Sequence, residues 1–351
     1  MIQLSNLLSD VERSLLAYPQ VVGVGFGRKE IRGKLTNIAA WRVYVRKKHL
    51  RSELHHNDVI PSEVAGIATD VLLVQSGASV SGTNNRHHST VKVGATVSNL
   101  KGVCDKGAVK GEGSGLGTAS FLAALNGGTR GKKNLVLVSN RHVLLAHGAK
   151  KGDLIYQPRY TMYKGRCHFQ SDALNPIAEI LDEGFEGNYA YNYPGERTRE
   201  YFIDCAAAQI LTQNAASVQL PAMVAGSRGK HFKSIARAHE LDVFAGRELR
   251  VHKAGQEQPT IGIIVDVMAP VIGADGRRRE NNIVIRTTTG GSDFAEDGDS
   301  GALIVDHFNR AVGLLWGKSL TRKSEAFACH IHPVIARLNV TPLSYDLSLH
   351  C

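Results

Sequence analysis

Ser300 has the residue type and the setting of a nucleophile. It lies in the sequence Gly298-Asp299-Ser300-Gly301, directly before the apolar run 302–306. A glycine two residues before the serine allows a sharp turn in which the N–H groups of Gly298 and Ser300 converge on one oxygen. Two such donors would stabilise an oxyanion. Taken alone, the motif is also compatible with a tight turn that has no chemical role.

A nucleophilic serine requires a base that takes its proton and a third group that orients the base. His142 follows the apolar run 134–139, at the point where a strand is expected to leave the core. Asp204 lies inside the apolar stretch 201–211, where a buried carboxylate is costly unless it has a partner. Each residue also has a structural interpretation: a core histidine for the first, and a carboxylate paired with a loop N–H group or a lysine for the second.

The composition is that of an ordinary globular protein with a basic charge. The chain has 351 residues, of which 43% are apolar and 21% charged, and a formal net charge of +10. Such a charge favours acidic partners. The basic residues occur in short clusters at 46–48, 130–133 and 276–279, which is more typical of solvated loops than of a specific nucleic-acid site.

The cysteines and the N-terminus together indicate the compartment. Five widely spaced cysteines do not suggest a disulfide framework and favour a reducing environment; they are Cys104, Cys167, Cys205, Cys329 and Cys351. The first residues lack a basic region followed by a long apolar stretch, and no run approaches the ~18 apolar residues that span a bilayer. A cytoplasmic protein without a membrane partner is expected.

The chain divides into three parts. Apolar residues at helical spacing predict an amphipathic helix over 4–17, and Trp41, Val43 and Val45 alternate with polar residues as in a half-buried strand. A further strand within 59–75 completes a small α/β domain over residues 1–76. Residues 77–92 are rich in Ser, Gly, Asn and His and are predicted to be a linker.

Residues 93–351 have a different pattern. Short apolar runs recur between turn residues from 118 to 331, and only 332–340 looks helical. Many short strands separated by loops indicate an all-β barrel or sandwich. The predicted fold class is therefore mainly β, preceded by the small α/β domain.

Three blocks of this second part resemble bacterial members of the chymotrypsin (trypsin-like) serine peptidase family. They are SNRHVLLAHG…GDLIYQP, FIDCAAAQI and GDSGALIVDHFNRAVGLLWGKS, and the resemblance spans roughly residues 92–340. The front segment VVGVGFG…RVYVRKK…IPSEVAGIATDV resembles the small domain that precedes such peptidase domains in some bacterial proteins. The resemblance implies a chymotrypsin-like double β-barrel, with the site between the barrels and acyl transfer to serine as the chemistry.

Residue by residue, the resemblance implies Ser300 as the nucleophile of a serine endopeptidase. His142 would be the base and then the acid toward the leaving amine, and Asp204 would hold the imidazole tautomer. The N–H groups of Gly298 and Ser300 would form the oxyanion hole. Asp299 matches the motif's aspartate, which shapes this loop through an ion pair, and its partner is not evident from the sequence.

The substrate pocket follows less directly from the resemblance. Phe294 stands where trypsin itself has the aspartate that selects basic side chains, so cleavage after Arg or Lys is not supported. Leu315, Trp316 and Gly317 are expected to form the pocket wall, with an alignment that can shift by one residue. A small or apolar side chain before the scissile bond is expected. The usual activation-site layout is missing, so zymogen control of the familiar kind is not expected.

Two other functions stay open. A peptidase-fold module could bind nucleic acid or a regulatory partner protein through its basic surface, although the scattered charges make nucleic acid the less favoured partner. Self-cleavage within 76–92 is a narrower hypothesis. No cofactor or metal is expected: in CHIH (329–332), strand alternation puts Cys329 and His330 on opposite faces, which favours core packing.

Overall fold

The computed structural model describes most of the chain, in separate stretches. The described residues are 2–79, 91, 93–101, 115–127, 134–157, 160–163, 166–169, 176–211, 232, 234–238, 248–254, 260–288 and 293–343. Most of the predicted linker, the basic cluster 130–133 and the cysteines at 104 and 351 lie outside them.

The N-terminal segment, residues 2–79, contains one α-helix and five strands. Helix α1 (Ile2–Leu16) confirms the predicted amphipathic helix, and it packs Leu8, Val11 and Leu15 into the core. The strands are β1 (Val21–Ile31), β2 (Lys34–Val45), β3 (Glu63–Val64), β4 (Ile67–Leu73) and β5 (Gln75–Ser79).

The middle of the chain builds a six-stranded sheet and two short two-stranded ones. Its strands are β6 (Thr96–Val97), β7 (Gly117–Thr118), β8 (Phe121–Leu125), β9 (Leu135–Ser139), β10 (Leu154–Tyr156), β11 (Tyr160–Tyr163), β12 (Arg166–Phe169), β13 (Pro176–Tyr191) and β14 (Arg199–Ile210). Helix α2 (Arg141–Leu144) follows β9. The six-stranded sheet has the order β10-β13-β14-β9-β8-β22, and its strand β22 comes from the end of the chain.

The last part of the chain contributes to a larger sheet of twelve strands among the described residues. Its strands are β15 (Ser234–Ile235), β16 (Arg250–Lys253), β17 (Ile261–Gly273), β18 (Arg278–Thr287), β19 (Leu303–Asp306), β20 (Arg310–Ser319) and β21 (Glu325–His330). Helix α3 (Ile331–Leu338) and β22 (Val340–Pro342) then return to the six-stranded sheet. Two principal sheets of mostly antiparallel strands confirm the predicted mainly β class and are compatible with the chymotrypsin-like double barrel.

The N-terminal strands continue the larger sheet. Its order is β16-β19-β20-β21-β18-β17-β1-β2-β4-β3, and β5 pairs with both β17 and β20. At the β1–β17 junction a Cβ atom on Gly27 would lie 1.9 Å from the carbonyl oxygen of Val265, so only glycine allows this approach. The sequence places a domain boundary at 76/77, and strands from both sides of it share this sheet.

Strand β2 differs from the prediction because both faces of its second half, residues 40–45, are covered. Arg42 and Tyr44, predicted on the solvent side, are completely buried. Asp266 of β17 compensates both of them: Tyr44 Oη donates to its Oδ2 at 2.6 Å, and Arg42 Nε lies 3.2 Å from the same oxygen. The half-buried prediction was wrong because alternation does not reveal a buried ion pair supplied by a distant strand.

A second polar cluster joins the N-terminal segment to the larger sheet. Glu30 of β1 accepts hydrogen bonds from Arg286 of β18 and from Arg322, each at 2.7 Å. Burial alone would raise the pKa of Glu30, but these two guanidinium groups outweigh it and lower the pKa to about 2. Glu30 is therefore a carboxylate that the folded state holds in its charged form.

The CHIH segment packs as expected. Cys329 is buried and free, and the Nε2 of His330 donates to the carbonyl oxygen of Val267 at 2.8 Å. Burial lowers the pKa of His330 to about 3, so the ring is neutral near pH 7. Among the described residues, no group of three or more His, Cys, Asp or Glu side chains could hold a metal ion. None of the described helices is both long and apolar enough to cross a bilayer.

Candidate active site

His142 and Asp204 are brought together by the pairing of β9 with β14. The register places Ser139, the last residue of β9, opposite Ala206, two residues after Asp204. The chain then turns into α2, and the first N–H groups of this helix point at the aspartate. Arg141 N donates to Asp204 Oδ1 at 2.7 Å, and His142 N donates to the same oxygen at 3.2 Å.

The histidine ring is oriented by the other carboxylate oxygen. His142 Nδ1 is hydrogen-bonded to Asp204 Oδ2, and Asp204 itself is buried. A carboxylate accepts only, so this contact places a proton on Nδ1, and in the neutral ring the lone pair is on Nε2. The Nε2 atom is buried and has no hydrogen-bond partner among the described residues.

The electrostatics around His142 favour its protonated form. Burial lowers the pKa of the ring, but the charge of Asp204 and its hydrogen bond outweigh burial, and Glu186 adds to them. The net result is a pKa above the usual value for histidine.

Glu186 lies beside the candidate triad and is not among the residues predicted from the sequence. The β13–β14 register places it directly opposite Asp204, and its Oε1 lies 3.8 Å from Nη2 of Arg279. Burial and the negative charge of Asp204 raise the pKa of Glu186. Its sequence setting, LDEGFEG, gives no sign of a second carboxylate beside Asp204, because the neighbouring acidic residues and glycines are typical of an exposed hairpin.

Ser300 lies in the tight turn that its sequence predicts. Gly298 has φ 101° and Gly301 has φ 91°, values that favour glycine. Ser300 is completely buried, and its Oγ donates a hydrogen bond of 3.3 Å to the carbonyl oxygen of Trp316. Strand β7 also holds the turn. Thr118 N donates to Ser300 O at 2.7 Å, and Thr118 Oγ1 donates to Gly298 O at 2.6 Å.

Gly117 lies between the serine turn and the histidine helix. A Cβ atom on Gly117 would meet the side chain of Val143 at 2.4 Å and the carbonyl oxygen of Ser300 at 2.8 Å. Val143 follows His142 in α2, so the absence of a side chain at Gly117 lets the two elements approach. The roles of Gly298 and Ser300 as oxyanion donors stay predictions.

The ion-pair partner of Asp299 is Lys253 of β16. Lys253 Nζ lies 2.5 Å from Asp299 Oδ2, and only 2% of the lysine side chain is exposed. The same oxygen accepts the N–H of Glu296 at 2.8 Å. This lysine is not among the residues predicted from the sequence. Its position at the end of the alternating segment RVHKAG is the only signal, and a lysine there is ordinarily taken as solvated.

The four residues predicted to line the substrate pocket are all buried. Phe294 packs against Gly262, and its ring centroid lies 5.4 Å from Lys253 Nζ. Leu315, Trp316 and Gly317 lie within β20, and the Trp316 ring stacks on Phe327 with a centroid distance of 5.6 Å. Their roles toward a substrate stay predictions.

No protein-family model matches this sequence, and no curated protein matches it. Its structure is similar to those of bacterial chymotrypsin-like serine proteases. Protease A of Thermobifida fusca is 11% identical with a TM-score of 0.43, and the match covers 73% of this chain and 100% of that one. A glutamic acid-specific serine protease is 15% identical with a TM-score of 0.43, and the match covers 72% of this chain and 100% of that one. Cellulomonas bogoriensis chymotrypsin is 15% identical with a TM-score of 0.40, and the match covers 73% of this chain and 99% of that one. At these values the likeness assigns no residue and no substrate.

Proposed function

We propose that the protein is a serine endopeptidase in which His142, Asp204 and Ser300 form the catalytic triad. The observation that carries the proposal is the His142–Asp204 arrangement, in which Nδ1 is bound by the carboxylate and Nε2 is buried without a partner among the described residues. A base held in this tautomer is ready to accept a proton at Nε2. A serine in a glycine-bounded turn, joined to the histidine helix through Gly117, is the group that would supply it.

In the first half of the reaction, Ser300 Oγ leaves the carbonyl oxygen of Trp316 and attacks the carbonyl carbon of the substrate. His142 Nε2 takes the hydroxyl proton, and the N–H groups of Gly298 and Ser300 bind the oxyanion. The C–N bond then breaks, and the amine leaves with the proton from Nε2. The products of this half are an acyl-serine and a free amine.

In the second half, water attacks the acyl carbon, and His142 Nε2 takes one of its protons. The ester bond to Ser300 Oγ breaks, the oxygen recovers its proton from Nε2, and a carboxylic acid is released. Asp204 stays ionised throughout and stabilises the imidazolium that forms in each half.

The substrate is proposed to be a protein or peptide with a small or apolar side chain before the scissile bond. The support is the absence of a carboxylate at Phe294, which is completely buried beside Lys253. A reducing compartment such as the cytoplasm is part of the proposal, and the buried, free thiols of Cys205 and Cys329 are compatible with it.

A fluorophosphonate probe tests the chemistry without knowledge of the substrate. The wild type and the matched control Ser120→Ala, which removes another buried serine hydroxyl, are expected to be labelled. Ser300→Ala and His142→Ala are expected to stay unlabelled while keeping the thermal unfolding temperature of the wild type within a few degrees. Equal labelling of wild type and Ser300→Ala would refute the proposal.

A binding function is the second candidate, and one cavity favours it. A cavity of about 550 Å³ in the N-terminal segment is lined by apolar side chains together with Lys47, Lys48, His49 and Arg51. No carboxylate lines it, and the described residues contain no ion-pair partner for Lys47, Lys48 or Arg51. Salt-sensitive binding of a single-stranded oligonucleotide or an acidic protein partner by Ser300→Ala would support this function. Absence of binding at ~50 mM salt would exclude this binding function.

A further inference from the structure

Strand β5 lies on the edge of β20 immediately beside the candidate nucleophile. It pairs antiparallel with β20, with Ser79 opposite Gly317, Ala78 opposite Lys318 and Gly77 opposite Ser319. Leu320 N donates to Ser76 O at 2.9 Å and extends the ladder by one residue. The pairing therefore reaches Gly317, the residue that directly follows Trp316.

Trp316 contacts both the nucleophile and β5. Its carbonyl oxygen accepts the hydrogen bond from Ser300 Oγ at 3.3 Å. Its ring covers Gly77, since a Cβ atom there would lie 3.0 Å from the indole and 2.8 Å from the ring of Phe327. The backbone of β5 thus lies one residue along β20 from the carbonyl group that holds Ser300 Oγ.

The edge that β5 covers is where an extended peptide would have to bind to reach Ser300. A peptide in strand conformation binds a sheet edge through main-chain hydrogen bonds. The opposite edge of β20 is already taken by β21, because Gly317 pairs with Phe327 and Lys318 with Ala326. At Gly317 and Lys318 both edges of β20 are therefore occupied.

The attachment of β5 is uneven along its length. Gln75, Ser76 and Gly77 are also paired in parallel with Val271, Ile272 and Gly273 of β17. The side chain of Gln75 donates from Nε2 to Glu325 Oε2 at 2.5 Å. The β17 pairing ends at Gly77, so among the described strands only β20 pairs with Ala78 and Ser79. Counting the described strands, the end of β5 nearest to Ser300 has fewer pairing partners than its start.

We propose that β5 is an autoinhibitory strand: residues 75–79 occupy the edge of β20 that receives the substrate, and Ala78 and Ser79 must leave it before a peptide can reach Ser300. The inference rests on the proposed peptidase function and adds its regulation. The occupant is the chain's own segment, anchored by Gln75 and released from its Ser79 end. Inhibition of this kind competes with the substrate and leaves the chemistry at Ser300 and His142 unchanged.

Proline substitution at Ala78 tests the strand directly. Antiparallel pairs alternate between hydrogen-bonded and non-hydrogen-bonded positions, and the Ser76–Leu320 bond places Ala78–Lys318 at a hydrogen-bonded position. Proline removes the N–H of residue 78 and with it a ladder bond. Ala78→Pro is expected to raise kcat/KM for a peptide substrate by up to about tenfold, mainly through KM, the equivalent of one main-chain hydrogen bond. Ser79→Pro, at a non-hydrogen-bonded position, is expected to raise kcat/KM less.

Gly77→Ala is a second variant, because its Cβ would press on Trp316 and Phe327. It is also expected to raise kcat/KM. Far-UV circular dichroism and the unfolding temperature select the folded variants. A peptide of sequence VQSGAS, residues 74–79, added to a released variant is expected to restore competitive inhibition, and a scrambled peptide is not.

The fluorophosphonate probe separates failure of this inference from failure of the proposed function. The probe is small and does not need the edge of β20, so its rate of labelling is expected to be the same in wild type and Ala78→Pro. Absence of labelling in all folded variants would refute the peptidase function itself. Normal labelling with peptide turnover that does not rise in either Ala78→Pro or Gly77→Ala would refute autoinhibition and leave β5 as an ordinary strand of the sheet.

Discussion

Asp204 holds His142 through both its ring and its main chain. One carboxylate oxygen contacts Nδ1, and the other accepts the N–H groups of Arg141 and His142 at 2.7 and 3.2 Å. The aspartate therefore fixes the tautomer of the ring and the start of the helix that carries it. A substitution of Asp204 can act on His142 through either contact, and the two effects are separable by experiment.

Asp204→Asn keeps an oxygen for the helix N–H groups but replaces the carboxylate beside Nδ1. The amide can favour the wrong imidazole tautomer, so kcat is expected to fall by about 10⁴-fold with little change in KM. Steady-state kinetics on a peptide substrate measures this change, with Asp182→Asn as a control in another hydrogen-bonded aspartate. A loss below tenfold in a folded Asp204→Asn protein would contradict the role assigned to this residue.

Glu186→Gln should move the acid limb of the pH profile to lower pH. His142 acts as a base only when neutral, and the negative charge of Glu186 helps to raise its pKa. Removal of that charge weakens the stabilisation of the imidazolium, so the free enzyme becomes active at lower pH. The dependence of kcat/KM on pH measures the shift. Glu183→Gln, on the same strand, should leave the limb in place, and an upward or absent shift in Glu186→Gln would show that the carboxylate does not act on His142.

Lys253→Met should destabilise the protein and distort the serine turn. It leaves Asp299 buried without its cation, and breaking a buried ion pair at one partner costs about 3–5 kcal/mol. Chemical denaturation measures the free energy of unfolding, and probe labelling measures the state of the turn. The double variant Lys253→Met/Asp299→Asn should recover much of the stability, because no buried charge remains.

Lys318→Met is the matched control for that experiment. Lys318 pairs with Asp297 at 2.9 Å, but the aspartate side chain is 62% exposed. The loss in the free energy of unfolding should be about 0–1 kcal/mol. Equal effects of the Lys253 and Lys318 substitutions would mean that burial does not distinguish the two pairs.

Glu30→Gln should reveal how the N-terminal segment is held. The pKa of Glu30 falls from 4.5 to about 2 on folding, so its carboxylate stabilises the folded state fully above pH 4.5 and loses this effect as the pH falls toward 2. At pH 7 the variant should lose up to about 3 kcal/mol. Urea denaturation of both proteins at pH 7 and pH 3 should show a smaller difference at pH 3. The exposed Glu63→Gln should show no such dependence, and a difference that grows on acidification would contradict the prediction.

The sequence predicted the positions of most strands because short apolar runs bounded by turn residues are typical of buried strands and too short for most helices. It did not predict their lengths. Strand β13 runs from Pro176 to Tyr191, well beyond the apolar run 177–182, because its polar half pairs with β14 in a long hairpin. Pairing with a neighbouring strand leaves no periodic signal where both faces are half exposed.

The site was predictable in its residue types and less so in its surroundings. Burial of Asp204 in an apolar stretch required a partner, and the structure supplies His142. The family resemblance, more than the spacing, selected these two residues. Lys253 and Glu186 could not be found this way, because the groups that surround a buried cation, or that bring a second carboxylate beside Asp204, lie far away in sequence. The charge of Lys253 alone predicted exposure to solvent.

The position of β5 has a consequence for the order in which the protein is made. Gln75 and its partner Glu325 are 250 residues apart in the chain, and a ribosome adding ~5–20 residues per second needs roughly 12–50 s to cover that distance. Strand β5 is therefore complete long before β20 and β21 emerge. When β20 is finally translated, β19 pairs with its first half, and β5 of the same polypeptide is the strand already available to the rest of that edge.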